Sequence, residues 1–314
     1  MKKKVVILYG GPSNEHEISI KSGKNVLNNI DKNKYQIFAV FIDKNKKFFI
    51  GKNKIGLNEK DFSSFLKKEK IDVVYPVLHG EYGEDGQIQK ILEKNKIKFV
   101  GSSSKVSSIA IDKDKSNKIY KINKILIPKS KIINYKNSKH NLVYPIIVKP
   151  VDEGSSVGLF KIENENEFKI KQKEIFKNHK KMLVQEFISG REFTCGVIDI
   201  KNKTIALFAS EIVLTKTKSF DYKAKYTKGA VKEITPANVE GALMKKIQNL
   251  ALKSHKALGC KSISRTDIIL SKIDNKLYVL ETNTLPGMTK TSFIPEQAKA
   301  SGINIKKLID VLLN

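Results

Sequence analysis

The chain has 314 residues, of which 40% are hydrophobic and 29% are charged, and its formal net charge is +27. This length predicts roughly two to three compact domains with a substantial core. No apolar run approaches the roughly 20 residues of a membrane-spanning helix, which argues against a membrane partner. The N-terminus MKKKVVILYGG is not typical of a signal peptide, because its charges pass at once into a strand-like run and a glycine turn. We therefore expect a cytoplasmic protein.

The positive charge comes almost entirely from lysine. Arginine occurs at Arg191 and Arg265 only, so 57 of the 59 basic residues (59 − 2) are lysines, spread along the whole chain. Proteins that bind nucleic acid usually exploit the planar fork of arginine as well as lysine. The lysine excess is therefore better explained by codon bias, and we expect no nucleic-acid partner. A non-catalytic basic binding protein is the alternative from another functional class, and salt-sensitive DNA binding without ATPase activity would support it.

Residues 3–100 alternate between strand-like and helix-like patterns. The predicted strands are 4–10, 35–42, 71–78 and 97–101, and the predicted helices are 15–30, 60–69 and 86–95. This alternation predicts a parallel α/β layer of about the usual domain size.

The rhythm changes in the remainder of the chain. A polar helical segment is predicted at 104–123, strands at 144–150, 158–163 and 181–188 around a helix at 164–178, a lysine-rich loop at 215–230, a helix at about 238–258, and two paired strands at 266–270 and 276–281. Three lobes fit this pattern best, and we predict their ranges as 1–101, 102–184 and 185–314. Cys195 and Cys260 have no metal-ligand spacing and are expected to be buried, reduced thiols.

Two loops of the first lobe are candidate ligand sites. GGPSNEHEIS (10–19) follows the first strand and opens a helix, so its free N–H groups would face a ligand. The alternative is a plain helix cap by Ser13 or Asn14, with Glu15 or Glu17 completing a capping box. HGEYGEDGQIQ (79–89) follows a strand at the sheet rim, where α/β proteins place ligands, and has more glycines and acids than an ordinary turn needs; a solvated loop is the alternative.

Three further motifs have the chemistry of a nucleotide site. KPVDEGSSVG (149–158) offers a lysine, hydroxyls and approachable N–H groups, which suit a phosphate cradle or an ordinary hairpin turn. In LVQEFISGRE (183–192), Glu186 and Glu192 could accept from an adenine amine or ribose hydroxyls, or be solvated strand-edge residues. DYKAKY (221–226) fits a lid over phosphates or a surface strand.

The segments RTD (265–267) and ETNTLPGMT (281–289) give the sharpest signal. The two predicted strands would bring Asp267, Glu281 and Asn283 to one rim of the sheet. Their hard oxygen atoms suit Mg²⁺ and an ion shared with substrate phosphates.

In this order, the motifs resemble the D-alanine–D-alanine ligases of the ATP-grasp superfamily, over essentially the whole chain. The resemblance implies a three-lobed α/β ATP-grasp fold with an N-terminal parallel, Rossmann-like domain, and ATP bound between the central and C-terminal lobes. It also implies ligation of two D-alanines through a D-alanyl phosphate for peptidoglycan precursor synthesis, and a homodimer. D-lactate or D-serine remains the alternative acceptor, although Tyr226 resembles the dipeptide-forming subgroup.

The resemblance also implies roles for individual residues. ATP would be bound by Lys113, Lys149, Glu186, the backbone near Ile188, Glu192 and Lys225. Two Mg²⁺ or Mn²⁺ ions would be held by Asp267, Glu281 and Asn283. D-alanine would meet Glu15, His79, Ser292 and Phe293, while Ser155 and Tyr226 would link the Glu15 loop to the lid. Arg265 and the N–H of Gly287 would stabilise the oxyanion. Ser262 stands where relatives commonly have glycine.

Overall fold

The structure is a computed structural model that describes residues 2–51, 55–154, 158–201, 203–214 and 231–314. Its strands are β1 (Lys3–Gly10), β2 (Tyr35–Ile42), β3 (Phe48–Ile50), β4 (Val73–Pro76), β5 (Lys98–Phe99), β6 (Ser130–Ile133), β7 (Ile146–Pro150), β8 (Phe160–Ile162), β9 (Met182–Glu186), β10 (Gly190–Ile200), β11 (Lys203–Ala206), β12 (Ser210–Leu214), β13 (Val231–Ile234), β14 (Ile263–Ser271) and β15 (Leu277–Asn283). Its helices are α1 (His16–Asn29), α2 (Glu59–Lys68), α3 (Gln87–Lys94), α4 (Ser104–Ile111), α5 (Lys113–Ile122), α6 (Glu165–Ile175), α7 (Gly241–Leu258), α8 (Phe293–Ala300) and α9 (Ile305–Leu312).

The N-terminal sheet has the predicted parallel architecture. Its strand order is β3-β2-β1-β4-β5, with β1 parallel to β2 and β4, β4 parallel to β5, and β3 antiparallel at one edge. Helices cover both faces of such a sheet, so a central strand reads as a continuous apolar run. In β1, the four residues Val5, Val6, Ile7 and Leu8 are accordingly all buried.

The central sheet is a separate four-stranded antiparallel layer in the order β6-β9-β7-β8. Its inner face and α6 form their own hydrophobic cluster, which includes Val148, Phe168, Met182 and Val184. Strand β7 ends at Lys149 and Pro150, directly before the predicted phosphate loop.

The C-terminal sheet is antiparallel in the order β13-β12-β10-β14-β15, with β11 paired to β10. Helix α7 packs on it, and so do α4 and α5, which place Ala110 and Tyr120 in its core. The helical segment predicted over 104–123 is helical but is divided into two helices, α4 and α5. Asp112 breaks the helix with an extended backbone (φ −80°, ψ 103°), and its carboxylate accepts hydrogen bonds from the N–H groups of Asp114 and Lys115, both at 3.1 Å.

The C-terminal helices connect the outer lobes. Ile294 and Ala298 of α8 and Leu308 of α9 share a buried cluster with Ile7 of the N-terminal sheet and Ile198 of β10. This shared core fixes the N-terminal loops against the ends of β14 and β15. Among the described residues, no helix is both long and apolar enough to span a bilayer.

Ser262 adopts a left-handed backbone conformation, with φ +63°. Glycine adopts this conformation at no steric cost, whereas a residue with a side chain rarely does. The N–H of Ser262 donates to Oδ2 of Asp199 at 2.7 Å, so a hydrogen bond holds the turn in place.

Candidate active site

A cavity of about 260 Å³ lies where the first lobe, helix α5 and the C-terminal sheet meet. Ten of the predicted site residues line it: Glu15, His79, Lys113, Arg265, Asp267, Glu281, Asn283, Gly287, Ser292 and Phe293. Segments far apart in the sequence therefore contribute charged and polar groups to one cavity.

The register of β14 and β15 explains why four of these side chains meet. Asp267 is paired with Glu281, and Arg265 is paired with Asn283. Side chains two residues apart on a strand point to the same face, and directly paired residues lie side by side. The four groups therefore share the face that lines the cavity, before the register shifts at Ile268.

Asp267 is held in place by two neighbours. Thr194 Oγ1 donates to its Oδ1 at 2.5 Å, while Arg265 donates from Nε to Oδ1 at 3.1 Å and from Nη2 to Oδ2 at 3.3 Å. The Arg265 guanidinium also lies over the Phe293 ring, 5.8 Å from its centroid. Burial opposes the charge on Arg265, but the carboxylates of Asp267, Glu281 and Glu84 together outweigh it and raise the pKa of the guanidinium. Arg265 is therefore a fixed cation.

Lys113 supplies a second cation from the start of α5. Its buried Nζ donates to the carbonyl oxygen of Glu153 at 2.6 Å and lies 3.7 Å from Glu281 Oε2. Its backbone N–H donates to the carbonyl of Val151 at 2.9 Å. The helix break at Asp112 thus ties Lys113 both to the loop after β7 and to the end of β15.

Glu15 forms the wall contributed by the first lobe. It is itself the N-cap residue of α1, in place of Ser13 or Asn14, and its side chain makes no capping hydrogen bond, so the capping-box alternative is wrong. Ser13 Oγ instead accepts from Glu15 N at 3.1 Å and donates to the carbonyl of His79 at 2.6 Å. Gly80, with φ +67°, faces the Glu15 carboxylate; a Cβ there would lie 3.3 Å from Oε2. The Glu15 side chain is thereby left to face the cavity.

His79 is buried, and both of its ring nitrogens have protein partners. Nδ1 lies 3.1 Å from the carbonyl oxygen of Leu285, and Nε2 lies 3.0 Å from Ser22 Oγ. A carbonyl only accepts, so Nδ1 carries the proton. Burial lowers the pKa of His79, which keeps the ring neutral.

Glu84 also lines the cavity, although the sequence did not single it out within the loop 79–89. Burial raises its pKa to about 8, and the nearby charge of Glu15 acts in the same direction. Its Oε1 accepts from the N–H of Gly80 at 3.1 Å. The density of acidic residues in this loop was the available signal, but which of them is buried depends on tertiary packing.

The far wall is the turn after β15. Gly287 packs so closely against Ser292 that a Cβ would come within 2.7 Å of Ser292 Oγ. The N–H and the hydroxyl of Thr289 contact the same Oγ at 3.0 and 2.7 Å. Thr289 also lines the cavity, and sequence reasoning did not identify it.

Four further predicted residues are described by the structure but do not line this cavity: Lys149, Glu186, Ile188 and Glu192. Lys149 is buried on β7, and Glu192 lies on β10 beside β12 and β14. Glu186 ends β9, where its Oε1 accepts from Lys129 N at 2.7 Å, and Ile188 follows it. Ser155, Lys225 and Tyr226 lie outside the described residues.

The cavity atoms that could ligate a metal ion are hard oxygens. Within the described ranges, no group of three or more His, Cys, Asp or Glu residues has the arrangement of a metal site. Asp267 and Glu281 supply two carboxylates, and Asn283 adds an amide oxygen, which accepts from Leu285 N at 3.0 Å and is thereby oriented. This set fits a hard divalent cation that takes its other ligands from substrate oxygens or water.

Comparisons with known proteins cover the whole chain. The family model for the D-ala D-ala ligase N-terminus matches residues 4–102, and that for the D-ala D-ala ligase C-terminus matches residues 120–314. The D-alanine–D-alanine ligase of Pelagibacter ubique (strain HTCC1062) is 38% identical, over 100% of this chain and 98% of that protein.

Two solved structures are similar at the level of fold and sequence. The VanG D-Ala:D-Ser ligase from Enterococcus faecalis has a TM-score of 0.86 and 30% identity, covering 100% of this chain and 99% of that one. The D-alanine–D-alanine ligase from Bacillus anthracis complexed with ATP has a TM-score of 0.81 and 30% identity, covering 100% and 96% respectively.

Proposed function

The chain belongs to the D-alanine–D-alanine ligase family and has its three-lobed ATP-grasp fold, and we therefore propose that it joins two D-alanines into D-alanyl-D-alanine with the conversion of ATP to ADP and phosphate. The supporting observation is the cavity in which Glu15, the Arg265–Asp267 pair and Glu281 meet. The dipeptide would serve peptidoglycan precursor synthesis in the cytoplasm, and the chain would act as a homodimer.

Phosphoryl transfer requires charge neutralisation around the nucleotide. Lys113 would contact phosphate oxygens, because its amine is buried beside Glu281 and fixed by Glu153. Asp267, Glu281 and Asn283 would hold two Mg²⁺ or Mn²⁺ ions. When bound, the ions supply positive charge against the phosphates. The further ATP contacts proposed from family membership are Lys149, Glu186, the backbone at Ile188, Glu192 and Lys225.

The chemistry begins with a carboxylate, which is a poor electrophile. The carboxylate of the first D-alanine attacks the γ-phosphorus of ATP, so that ADP leaves and a D-alanyl phosphate forms. The deprotonated amine of the second D-alanine then attacks the acyl carbon, and phosphate leaves as the peptide bond forms. Arg265 and the N–H of Gly287 would stabilise the tetrahedral oxyanion of this second step.

The cavity also offers groups for the two amino acids. Glu15 would bind the ammonium of the first D-alanine, because its carboxylate faces the cavity without acting as a helix cap. His79 would complete this subsite, and Ser155 and Tyr226 would link the Glu15 loop to the lid. Ser292 and Phe293 would meet the carboxylate of the second D-alanine.

Phosphate release from Mg·ATP tests the proposal directly. Purified protein should release phosphate with D-alanine but not with L-alanine or no amino acid, and the product should be the dipeptide. Reactions that add D-serine or D-lactate test the alternative acceptors, one of which is named for the similar Enterococcus faecalis enzyme. Bound nucleotide without D-alanine-dependent release would refute the ligase and indicate another carboxylate and amine pair.

A further inference from the structure

Helix α1 contains an unusual set of buried polar residues. Ser22 is fully buried and Asn25 is 7% exposed, and both face the turn after β15 rather than solvent. Ser22 and Asn25 follow the cavity residues Glu15 and Ile18 at spacings of three and four residues. All four side chains therefore lie on one face of the helix.

Ser22 and Asn25 together hold both backbone groups of Met288. The N–H of Met288 donates to Ser22 Oγ at 3.2 Å, and Asn25 Nδ2 donates to the carbonyl of Met288 at 2.8 Å. Met288 follows Gly287, the proposed oxyanion donor. A residue whose N–H and C=O are both fixed leaves the adjacent peptide little freedom to rotate.

His79 extends this network to the start of the same turn. Its Nδ1–H donates to the carbonyl of Leu285, so its Nε2 is left to accept the Ser22 hydroxyl proton. The Ser22 oxygen then remains free to accept from Met288 N. Each donor is matched to one acceptor, and the turn 285–288 is held at both ends by the first lobe.

We propose that α1 sets the distance between the two D-alanine subsites, with Ser22 and Asn25 as positioning residues for the Gly287 oxyanion donor. This inference rests on the proposed function. Glu15 at the start of α1 faces the first substrate, and Ser22 lies seven residues, or roughly 10 Å, further along the same rigid helix. One helix thus fixes the group that binds the first D-alanine and the turn that receives the second.

The test separates the two half-reactions in Ser22→Ala and Asn25→Ala. Phosphoryl transfer, measured as the first-turnover rate of ADP formation by rapid quench, should stay within about twofold of the wild type. Dipeptide formation should fall about tenfold to a hundredfold, since small displacements of a catalytic group reduce rates to this extent. Affinity for Mg·ATP, measured by calorimetry, should not change.

Ser19→Ala is the matched control. Ser19 is a fully buried serine of the same helix, but its hydroxyl accepts from Gly10 N and donates to the carbonyl of Val77, away from the 285–288 turn. Ser19→Ala should reproduce any loss of thermal stability seen in the other variants. It should not slow dipeptide formation selectively relative to ADP formation. If Ser22→Ala does not fold, Asn25→Ala and the milder Asn25→Ser carry the same expectation.

Two outcomes would overturn the inference. Equal slowing of ADP and dipeptide formation in the variants, or the same profile in Ser19→Ala, would show a general structural role. If the wild type itself makes no dipeptide, the proposed function fails instead, so the two failures are distinguishable.

Discussion

Replacing Arg265 by lysine should impair the ligase severely even though it preserves the charge. The guanidinium makes two contacts with Asp267, from Nε at 3.1 Å and from Nη2 at 3.3 Å. A lysine ammonium cannot reproduce this planar pair of donors. We expect the loss of about one charge-assisted hydrogen bond, roughly 1.5–3 kcal/mol, at a site where Arg265 would also meet the oxyanion. That corresponds to a fall of about tenfold to a hundredfold in kcat/KM.

Arg191→Lys provides the control, because it removes the other arginine of the chain. Arg191 also makes a bidentate pair, from Nε to Glu211 Oε1 at 2.7 Å and from Nη2 to Oε2 at 2.9 Å, but it does not line the cavity. Its side chain is 40% exposed, so solvent screens the pair and the loss of stability should be about 1 kcal/mol or less. Its kcat/KM should stay within about threefold of the wild type.

The assay follows ADP and dipeptide formation at saturating Mg·ATP while D-alanine is varied, with thermal unfolding measured in parallel. Full activity in Arg265→Lys would refute the argument from guanidinium geometry. So would an equal loss of activity in both variants that tracks their loss of stability. The composition makes the comparison informative, because lysine occupies 57 of the 59 basic positions (59 − 2) and yet Arg265 remains.

Three further variants test other parts of the structure. Burial raises the pKa of Glu84 to about 8 in the folded chain. Between the ordinary pKa of a glutamate and this raised value, the folded chain keeps a proton that the unfolded chain releases, so stability falls as pH rises through this range. Glutamine does not titrate, so the melting temperature of Glu84→Gln minus that of the wild type should increase from pH 5 to pH 8. A difference that stays constant would contradict this. Lys113→Met removes the amine that lies 3.7 Å from Glu281, and calorimetry should show about tenfold weaker Mg·ATP binding; unchanged affinity would argue against a phosphate contact. Phe62→Ala removes a fully buried ring that is stacked 4.2 Å from the ring of Phe48. Urea unfolding should show that the free energy of unfolding falls by about 3–5 kcal/mol, and a fall below about 1 kcal/mol would contradict this packing.

The local pattern of the sequence was sufficient to predict that β14 pairs with β15, but not which residues pair at their polar ends. Two alternating strands joined by the short turn 271–275 have little freedom of register, and a slip of one residue would turn every side chain over. The turn does not by itself pair Asp267 with Glu281, because a regular register continued from Ile268 and Val279 would place Asp267 opposite Leu280. The register shift at Ile268 brings Glu281 beside Asp267 instead. The strands of the first lobe were predictable because their apolar runs are long and bounded by turn residues.

Contacts between distant segments were not predictable in this way. The segment 104–123 has continuous helical propensity, and only the capping preference of Asp112 indicates that it divides. The location of α8 and α9 in a core shared with the first lobe depends on pairings nearly 300 residues apart, for which local periodicity holds no information.

The polar face of α1 shows why part of the site was missed. A helix with one polar stripe is ordinarily expected to turn that stripe to solvent. Ser22 and Asn25 follow this pattern in the sequence, yet they are buried because the C-terminal turn packs against them. In a three-lobed protein, polar side chains are needed where lobes meet, because the backbone groups of a buried turn must find partners. A polar stripe that continues from a candidate site residue such as Glu15 is therefore better interpreted as a contact between lobes than as a solvated surface.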